Sequence, residues 1–572
     1  MKKEIPSYPV PRITSVQDML VQSARAFGDK LALEDCASTP VPRLTYSGLL
    51  GHVMAFGAAL RALDIPERSH IAVVGENRVQ WAVTYLTAMC FNYVIVPIDK
   101  NLSANEILNV IHESDASAIV FSEAFGEMLM EKRATFKKLK QYIGMDLPKG
   151  TPFAHSMTEM IAAAMPTAPA SPAQLPVIDP EAMAVIIFTS GTLGRAKGVM
   201  LSQKNIATNL MSMLTAMQML PEDRFLSVLP MHHTYECNCG MLCPLMAGSS
   251  VHYARSLKTV TDDMQAVRAT VLLGVPLLYE KMFKRIYKTV REKRSSAMLV
   301  PPLIQVSNVF EKIGWKNFKK LVFKELHEKF GGSIRVFIAG GAASDPTVAK
   351  GLRDFGFTYI QGYGLTETSP ILALNPMVWA KDDAAGLPLP GVELMIHDPD
   401  DDGIGEVYAK GGNVMLGYYK NPDATRDTFD SGWFRTGDYG YFDDDGFLHI
   451  SGRKKNVIIS KSGKNVFPEE IEDALNHSPF ILESLVFGEH DPKQGEIIAA
   501  KIVADAEAFI ELSAKKGVAI TPELIRTVIN DEVQRTNKEL TSFKQIKKFY
   551  IHEQEFQKTT TQKIKRYAAL TE

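Results

Sequence analysis

Apolar and polar positions alternate along this chain in two patterns that predict helices and buried strands. Apolar residues recur every three or four positions over Val16–Phe27, as expected for one face of an amphipathic helix. Short continuous apolar runs, separated by helical stretches, occupy residues 71–74, 93–97, 184–188, 225–229, 271–275, 334–339 and 357–360. Strands that are buried on both faces are apolar throughout, so these runs indicate mostly parallel sheets flanked by helices. The predicted fold class is α/β.

The pattern changes at two places further along the chain. Residues 386–450 show short alternating strands with Gly and Asp turns, which predict a small antiparallel, barrel-like subdomain. Beyond residue 453, helical patterns at residues 468–476 and 521–538 predict a small α+β unit. Residues 162–180 carry five prolines, so we expect an exposed connection there rather than a helix or a central strand. We therefore predict a large N-terminal domain, residues 1–452, and a small C-terminal domain, residues 453–572.

Composition and charge narrow the class of protein. The 572 residues are 46% hydrophobic and 22% charged, which is typical of globular proteins and argues against a disordered, collagen-like or disulfide-stapled chain. The net charge of -2 gives no sign of a nucleic-acid partner. Five cysteines fit a reducing compartment, and the sequence shows neither a signal peptide nor an apolar run of about 18 residues. We expect a cytoplasmic protein, and peripheral attachment to the inner face of a membrane stays open.

The strongest chemical signal is a loop rich in Gly and hydroxyl residues. Residues 188–198 read FTSGTLGRAKG, follow an apolar strand and precede a helix that Ser202 is expected to cap. Backbone N–H groups and hydroxyls in such a loop can surround a polyphosphate. The loop is not a Walker A motif, because Lys197 stands between Ala196 and Gly198. A merely flexible turn is the alternative.

Four further motifs follow in order and, together with the loop, resemble the adenylate-forming superfamily of acyl-CoA synthetases, peptide-synthetase adenylation domains and beetle luciferases. They are residues 361–368 (QGYGLTET), 431–438 (SGWFRTGD), 452–455 (GRKK) with 463–471 (GKNVFPEEI), and 558–566 (KTTTQKIKR). The matching motifs span residues 188–566. The resemblance implies a substrate-binding body and a small catalytic domain that rotates about a hinge.

The resemblance also implies that ATP is bound by residues of several motifs. The implied phosphate-loop residues are Thr189, Ser190, Gly191, Thr192, Gly194 and Lys197. The implied nucleotide-binding residues of the later segments are Gly341, Ala342, Gly362, Tyr363, Gly364, Thr366, Asp438 and Arg453. Gly341 and Ala342 belong to a turn of small residues after the strand at residues 334–339, where a ligand can lie close to the backbone.

The chemistry of individual residues fits these implied roles. Tyr363 can stack on a purine, because glycines on either side leave both ring faces approachable. Thr366 offers a hydroxyl to a phosphate oxygen, and Glu367 offers a hard oxygen ligand to Mg²⁺. Asp438 can accept hydrogen bonds from the ribose hydroxyls, assisted by Arg453. A core position for Tyr363 and a turn role for Asp438 are the structural alternatives.

Residues 231–235 (MHHTY) place two histidines just beyond a strand end. In the resembling enzymes, His233 corresponds to the residue that separates the acyl pocket from the phosphates and turns as the substrates enter. We therefore expect His233 to position the substrates rather than to act as an acid or a base. Cys237, Cys239 and Cys243 lie nearby, but their spacing lacks a distant second pair of metal ligands, so we expect buried thiols on a helix.

The resemblance implies a reaction in two steps that uses ATP, Mg²⁺ and coenzyme A. In the first step a carboxylate attacks the α-phosphorus of ATP, and Mg²⁺ and Lys563 offset the negative charge. In the second step the thiol of coenzyme A displaces AMP from the acyl-AMP intermediate. Lys455 corresponds to the hinge, and the loop that carries Lys461, Gly463 and Lys464 is expected to approach the thiol.

The order of segments most resembles bacterial long-chain fatty acyl-CoA synthetases, so a medium- to long-chain fatty acid is the predicted substrate. A long insert, residues 281–330, carries 13 Lys and Arg against 4 Asp and Glu, interleaved with apolar residues. A basic amphipathic stretch of this kind suits an anionic membrane surface. A solvated charged face, in which long side chains cover apolar surface, is the alternative.

Three other functions stay open on the sequence. An acyl-carrier-protein ligase would use the same first step with a protein-borne thiol. An enzyme for an amino or aryl acid would need a polar recognition group in its acid pocket, and the sequence identifies none. A catalytically silent nucleotide-binding relative is suggested by Gln562, which stands where the resembling enzymes usually have the Gly before the catalytic Lys563. Since Gln adopts the glycine conformation only at a cost, the loop is expected to differ in shape.

Overall fold

Helix α1, Val16–Phe27, has the ends that the apolar spacing predicts. The hydroxyl of Ser15 accepts a hydrogen bond from the amide of Asp18 and so caps the first turn. Met19 and Leu20 are fully buried on the inner face of the helix. Local capping and one apolar stripe therefore define this element before any long-range contact is considered.

The computed structural model of the protein describes residues 3–37, 42–147, 150–169, 171–189, 196–292, 294–315, 318–460, 463–492, 495–559 and 563–571. After α1, its α-helices are α2 Tyr46–Ala62, α3 Val79–Cys90, α4 Ala104–Glu113, α5 Gly126–Lys132, α6 Met157–Ala164, α7 Gln203–Ala216, α8 Cys243–Ala247, α9 Val260–Val267, α10 Pro276–Glu292, α11 Arg294–Lys312, α12 Phe318–Val322, α13 Lys324–Lys329, α14 Pro346–Asp354, α15 Pro422–Thr428, α16 Pro468–Asn476, α17 Ala506–Lys516, α18 Pro522–Glu539 and α19 Arg566–Thr571. A π-helix, Tyr235–Leu242, runs directly into α8.

The strands of these residues are β1 Leu31–Asp35, β2 Arg43–Thr45, β3 His70–Val74, β4 Val94–Pro97, β5 Ala118–Phe121, β6 Gln141–Gly144, β7 His155–Ser156, β8 Met183–Thr189, β9 Lys197–Ser202, β10 Arg224–Ser227, β11 Ser250–Tyr253, β12 Val271–Gly274, β13 Val336–Ala339, β14 Tyr359–Gly364, β15 Ile371–Leu374, β16 Leu387–Pro388, β17 Val392–His397, β18 Gly405–Gly411, β19 Gly417–Tyr418, β20 Phe429–Asp430, β21 Trp433–Phe442, β22 Leu448–Arg453, β23 Ile458–Ile459, β24 Asn465–Val466, β25 Ile481–Asp491, β26 Gly495–Ala504 and β27 Lys548–His552. Each apolar run that the sequence pattern assigned to a strand contributes to one of them.

The chain divides into two compact units. The first comprises residues 1–394, 409–434 and 445–447, and the second comprises residues 395–408, 435–444 and 448–572. The sequence-based boundary at residue 452 stays a prediction.

Two large sheets dominate the first unit. One has the order β16-β15-β14-β13-β12-β10-β11-β1-β2 and the other has the order β19-β9-β8-β4-β3-β5-β6-β7. Strands β10 to β14 pair in parallel, as do β3 to β7, and antiparallel pairs occur only towards the ends of each order among the described strands. The predicted α/β class with mostly parallel sheets is confirmed.

The later strands pair mainly in the antiparallel sense. A five-stranded sheet has the order β17-β18-β21-β20, with β22 paired to β21, and so realises the alternating pattern of residues 386–450. The second unit also contains the three-stranded sheet β25-β26-β27, against which α16 and α18 bury apolar side chains such as Ile471, Leu475 and Ile529. Burial of a side chain of this size contributes about 1.5–3 kcal/mol.

One local prediction needs correction, and one strand was not predicted. The Pro-rich connection was expected to start at residue 162, but α6 continues to Ala164, because the first proline of the segment is Pro166. The glycine- and hydroxyl-rich loop precedes the helix that Ser202 caps, as predicted, but β9, which was not predicted, lies between the loop and α7. Val199 and Leu201 of β9 are buried, so tertiary packing makes a strand of this short segment. Among the described helices, none is both long and apolar enough to cross a membrane.

Candidate active site

The first part of the site lies at the carboxyl ends of parallel strands in the nine-stranded sheet. Ala339, the last residue of β13, pairs with Gln361 of β14, so the segments that follow these two residues begin at the same sheet edge. Ligands of open α/β sheets bind at this edge. Gly341 has a φ of +87°, which favours glycine, and both Gly341 and Ala342 are exposed. The backbone of this turn is therefore open to solvent, and its role in binding a ligand stays a prediction.

The glycines around Tyr363 have a structural cause that the sequence did not reveal. A Cβ added at Gly364 would stand 1.9 Å from the carbonyl oxygen of Pro370, and one at Gly362 would stand 3.2 Å from that of Ala373. Both contacts come from the neighbouring antiparallel segment that includes β15. The glycines are thus needed for the close approach of two backbones, while Tyr363 itself is half-buried.

The flanks of the predicted phosphate loop form the end of an antiparallel hairpin. Thr189 of β8 pairs with Lys197 of β9, and the Thr189 hydroxyl donates to the Lys197 carbonyl at 3.4 Å. Four predicted residues of the loop lie outside the described residues: Ser190, Gly191, Thr192 and Gly194. Ser202 caps α7 as predicted, accepting a hydrogen bond from the amide of Asn205. The loop therefore joins two strands, and the helix cap lies one strand further on.

Lys197 and Glu367, which the sequence placed in separate motifs, are linked through Tyr418. The ammonium of Lys197 lies 4.7 Å from the centre of the Tyr418 ring, and the Tyr418 hydroxyl donates to Glu367 Oε1 at 3.0 Å. Tyr418 is placed by β19, where it pairs with Val199 of β9. Thr366 is buried beside Glu367 in a short 3₁₀ turn. The structure therefore sets a cation, a phenol and a carboxylate next to the described end of the loop.

Tyr418 is a site residue that motif reasoning missed. Its sequence context, Gly-Tyr-Tyr after an apolar stretch, indicates a short strand but not its partner. Only the pairing of β19 with β9, more than 200 residues earlier in the chain, brings the hydroxyl to Glu367. No local signal could have identified it.

His233 lies on a turn that follows β10. The amide of Tyr235 donates to His233 Nδ1 at 3.3 Å, and the ring centre of His233 lies 6.4 Å from that of His232. His232 Nε2 is 3.6 Å from a carboxylate oxygen of Asp99. Desolvation lowers the pKa of His232, although Asp99 acts in the opposite direction. The half-buried His233 can thus be oriented by its own backbone, which fits a positioning role.

Asn77, also missed by sequence reasoning, supports this turn from the other large sheet. Its Nδ2 donates to the carbonyl of Leu229 at 2.6 Å and to the hydroxyl of Ser227 at 3.1 Å, and its Oδ1 accepts from the Met231 amide at 3.2 Å. Asn77 follows β3 by three residues, so a polar residue beyond a buried strand was the available signal. The three bonds fix the course of the chain between β10 and His233.

A second group of predicted residues belongs to the second unit. Asp438 of β21 pairs across the sheet with Arg453 of β22, and Arg453 Nε lies 2.8 Å from Asp438 Oδ1. The Asp438 amide also donates to the hydroxyl of Thr436 at 3.1 Å. The carboxylate is buried at 4% exposure, so a charge partner is needed to keep it ionised. The predicted ribose-binding pair therefore exists as an ion pair.

Lys563 is hydrogen-bonded through its backbone to Thr559 and shares its surroundings with this ion pair. The amide of Thr559 donates to the carbonyl of Lys563 at 2.7 Å, and the Lys563 amide donates to the Thr559 hydroxyl at 3.2 Å. Desolvation lowers the pKa of Lys563 to about 8, with the positive charges of Arg453 and Lys455 acting in the same direction and Asp438 against them. The side chain of Lys563 is exposed, and the charges of Arg453 and Lys455 contribute to this shift in its pKa. Gln562 lies outside the described residues.

The predicted hinge and thiol-side loop also belong to the second unit. Lys455 is exposed, and desolvation followed by the charge of Arg453 lowers its pKa. Gly463 has a φ of +76° with open space at its Cβ position, and the Ser460 amide donates to the Lys464 carbonyl across this turn at 2.9 Å. Lys461 lies outside the described residues. The structure thus brings Asp438, Arg453, Lys455 and Lys563 into one cluster, and Lys197 and Glu367 into another.

Comparison with known proteins places this chain among characterised relatives over most of its length. The AMP-binding enzyme family matches residues 20–419, and the AMP-binding enzyme C-terminal domain matches residues 455–572. The long-chain-fatty-acid–CoA ligase FadD15 of Mycobacterium bovis is 29% identical over 553 residues, which cover 91% of this chain and 90% of that protein. The chloroplastic long-chain-fatty-acid–acyl-carrier-protein ligase AEE15 of Arabidopsis thaliana is 28% identical over 559 residues, which cover 85% and 76%. Among solved structures, ATP-bound MatB from Rhodopseudomonas palustris superposes with a TM-score of 0.75 at 25% identity, covering 96% of this chain and 98% of that one.

Proposed function

The chain belongs to the AMP-binding enzyme family, which confirms the resemblance of its motifs, and we propose that it joins a fatty acid to coenzyme A in two ATP-dependent steps. The observation that carries the proposal is the linked group of Lys197, Tyr418 and Glu367 at the described end of the Gly- and hydroxyl-rich loop. An ammonium and a carboxylate at such a position suit a polyphosphate with its metal ion.

In the first step a carboxylate oxygen of the fatty acid attacks the α-phosphorus of ATP. The new bond joins that oxygen to phosphorus, the bond to the bridging oxygen of the β-phosphate breaks, and pyrophosphate leaves. Lys563 offsets charge as two anions meet, and Asp438 with Arg453 holds the ribose hydroxyls. Gly341, Ala342 and Tyr363 offer open backbone and a ring to the adenine.

Mg²⁺ fits the residues around Glu367. Among the described residues, no group of three or more His, Cys, Asp or Glu could hold a metal ion, whereas Glu367 is a half-exposed carboxylate beside Lys197 and its loop. Mg²⁺ prefers one or two carboxylates together with substrate phosphates over an all-protein cage. When bound, the ion would supply positive charge to the β- and γ-phosphates. Glu367 would hold it, and the hydrogen bond from Tyr418 would orient the carboxylate.

In the second step the thiol sulfur of coenzyme A attacks the acyl carbon of acyl-AMP. A carbon–sulfur bond forms, the carbon–oxygen bond to AMP breaks, the thiol proton is released, and AMP leaves. We assign Lys455 to the hinge about which the small domain turns between the steps. Lys461, Gly463 and Lys464 form the loop that then meets the thiol.

Pyrophosphate exchange into ATP tests this function directly. The purified protein is offered fatty acids of increasing chain length, an aryl acid and an amino acid, each with ATP and Mg²⁺. We expect exchange with medium- to long-chain fatty acids and none without an acid, because exchange requires reversible formation of acyl-AMP. Absence of exchange with every acid would contradict the proposal and favour a silent nucleotide-binding relative. Preference for the aryl or amino acid would reassign the substrate class.

The identity of the thiol acceptor is a separate question. FadD15 is named as a coenzyme A ligase and AEE15 as an acyl-carrier-protein ligase, and each of these relatives matches most of this chain. We favour coenzyme A because the relative named as its ligase covers more of the chain. Offering coenzyme A and acyl carrier protein with one fatty acid separates the two, and faster transfer to the carrier protein would overturn this choice.

We further propose that the insert, residues 281–330, touches an anionic membrane from which fatty acid is taken. Lys281, Lys284 and Lys288 are exposed along one side of α10. Large apolar side chains of the insert that are at least 39% exposed are Tyr287, Leu299, Leu303, Val306, Val309, Ile313, Trp315 and Leu321. Cations together with exposed apolar side chains are the features that hold a helix in a membrane interface.

Co-sedimentation with vesicles tests the membrane contact. At low salt the protein is expected to bind vesicles that contain phosphatidylserine and not vesicles of phosphatidylcholine alone. The variant Ile313→Ser is expected to bind about tenfold more weakly, because apolar contact with the lipid is lost. Val177→Ser is the matched control, since Val177 is 93% exposed but lies far from the insert in sequence. Equal binding to both vesicle types would exclude the electrostatic contact.

A further inference from the structure

A carboxyl group is buried three residues after His233, in the π-helix Tyr235–Leu242. Glu236 is 1% exposed, and neither of its carboxyl oxygens makes a well-formed hydrogen bond to the described residues. Room for the carboxyl is left by Gly240, where an added Cβ would stand 2.7 Å from Glu236 Oε1. Burying an ionised carboxyl without a charge partner costs several kcal/mol. A group retained at that cost needs an explanation.

Among the described residues, the groups that act on this carboxyl carry no positive charge. The hydroxyl of Ser227 and the backbone of Leu229 are close enough to act on it. The titratable groups that interact with it are Tyr235, Cys237 and Cys239 of its own helix, Tyr253 of β11 and Tyr279 of α10. Burial raises the pKa of each of these phenols and thiols, so they are neutral at physiological pH. Burial likewise raises the pKa of Glu236 to about 8.

Glu236 and Asn77 act on the same short stretch of chain. Asn77 donates to the carbonyl of Leu229 and to the hydroxyl of Ser227 from the end of β3. Glu236 faces Ser227 and Leu229 from the π-helix. The stretch between β10 and His233 is therefore held by polar groups from two elements that are far apart in sequence.

We propose that Glu236 is a positioning residue that acts as a neutral acid, supporting together with Asn77 the turn that carries His233. A neutral carboxyl can donate one hydrogen bond and accept another, which suits a hydroxyl and a backbone group, whereas a carboxylate only accepts. Glu236 touches no reacting atom in this role and acts through His233. The inference rests on the proposed function and on the role that the family resemblance implies for His233, which is to separate the acyl pocket from the phosphates.

The first test compares Glu236→Gln with Glu236→Ala in pyrophosphate exchange. Gln is the closest neutral substitute for a protonated Glu, so the Gln variant is expected to stay within about twofold of wild type at neutral pH. The Ala variant is expected to lose about tenfold in kcat/KM for the fatty acid, while its KM for ATP stays unchanged, because only the acyl side of the turn is loosened. A Gln variant as impaired as the Ala variant would overturn the proposal.

The second test measures kcat/KM of the wild type and of Glu236→Gln as a function of pH. Above about 8, Glu236 of the wild type ionises, so its kcat/KM is expected to fall relative to that of Glu236→Gln by up to tenfold per pH unit. Any effect of Lys563 is common to both proteins and cancels in the ratio. A ratio that does not change with pH would contradict the neutral-acid role.

A third measurement does not depend on activity. In the folded protein Glu236 keeps its proton up to a pH of about 8. In the unfolded chain it releases this proton above a pH of about 4.5. Between these two pH values a rise in pH favours unfolding of the wild type. Its melting temperature is therefore expected to fall progressively below that of Glu236→Gln, and above a pH of about 8 the difference between the two melting temperatures is expected to stay constant. A constant difference throughout would overturn the proposal even if the Ala variant fails to fold. If the wild type shows no exchange with any acid, the proposed function fails, and this measurement still tests the buried neutral acid.

Discussion

The Lys563→Ala variant is expected to lose about a hundred- to a thousandfold in adenylation while it still converts supplied acyl-AMP and coenzyme A to the thioester. Lys563 shares its surroundings with Arg453, Lys455 and Asp438, so its ammonium belongs to the group proposed to hold the nucleotide. A cation is needed when a carboxylate approaches a polyanion. It is not needed when a thiol attacks acyl-AMP, because pyrophosphate has already left.

Two half-reactions measured separately check this expectation. Pyrophosphate exchange reports adenylation, and thioester formation from supplied acyl-AMP reports the transfer. Lys565→Ala is the matched control, since Lys565 is exposed two residues further along the same segment and should leave both rates unchanged. Equal loss of both half-reactions in Lys563→Ala would show that the residue supports the fold or both steps, and the assignment would be withdrawn.

The pH dependence of the first step gives a second measure of Lys563. Its pKa is lowered to about 8, so the charged ammonium is lost as the pH rises through this value. Adenylation by the wild type is therefore expected to fall above about 8, whereas Lys563→Arg keeps its charge and is expected to lose less. If both proteins fall in parallel, the titrating group is not Lys563.

Local pattern predicted most of the fold, and the exceptions have a common cause. The ends of α1 and α16 were predicted correctly, because apolar spacing defines both helices, while the Ser15 cap marks the start of α1 and Pro468 marks the start of α16. The segment that forms β9 was expected to lead into a helix, since Ser202 signals the cap of α7 while the preceding residues are too few to show a period. Its strand conformation depends on pairing with β8 and β19, which no local window contains.

The same limit applies to the site. The motif residues could be named from the sequence because they resemble a known family, and their roles stay predictions. Tyr418, Asn77 and Glu236 could not be named, because each gains its significance from partners at least seven residues away. The reason for Gly364 was also hidden, since it depends on the carbonyl of Pro370 in the neighbouring chain segment. Sequence reasoning thus finds residues that act through local motifs and misses those that orient them.

The Glu367→Gln variant is expected to lose at least about a hundredfold in adenylation and to need more Mg²⁺ for the rate that remains. The substitution keeps the shape of the side chain and its bond from the Tyr418 hydroxyl, but it removes the charge that holds the ion. Thioester formation from supplied acyl-AMP should be unchanged, because no triphosphate takes part in that step. The Mg²⁺ dependence separates this loss from that of Lys563→Ala, which should keep the wild-type requirement for Mg²⁺.

Tyr418→Phe is the matched variant for this prediction. It keeps the aromatic ring beneath the Lys197 ammonium but removes the hydroxyl that donates to Glu367 Oε1. A single lost hydrogen bond to a charged group costs about 1.5–3 kcal/mol. The adenylation rate of Tyr418→Phe is therefore expected to fall less than that of Glu367→Gln, and this variant is also expected to need more Mg²⁺ than the wild type. If Tyr418→Phe alters the KM for the fatty acid and leaves the Mg²⁺ dependence unchanged, Tyr418 does not orient a metal-binding carboxylate. If Glu367→Gln also keeps the wild-type Mg²⁺ dependence, the metal is held elsewhere, and the linked group of Lys197, Tyr418 and Glu367 binds the phosphates through the lysine alone.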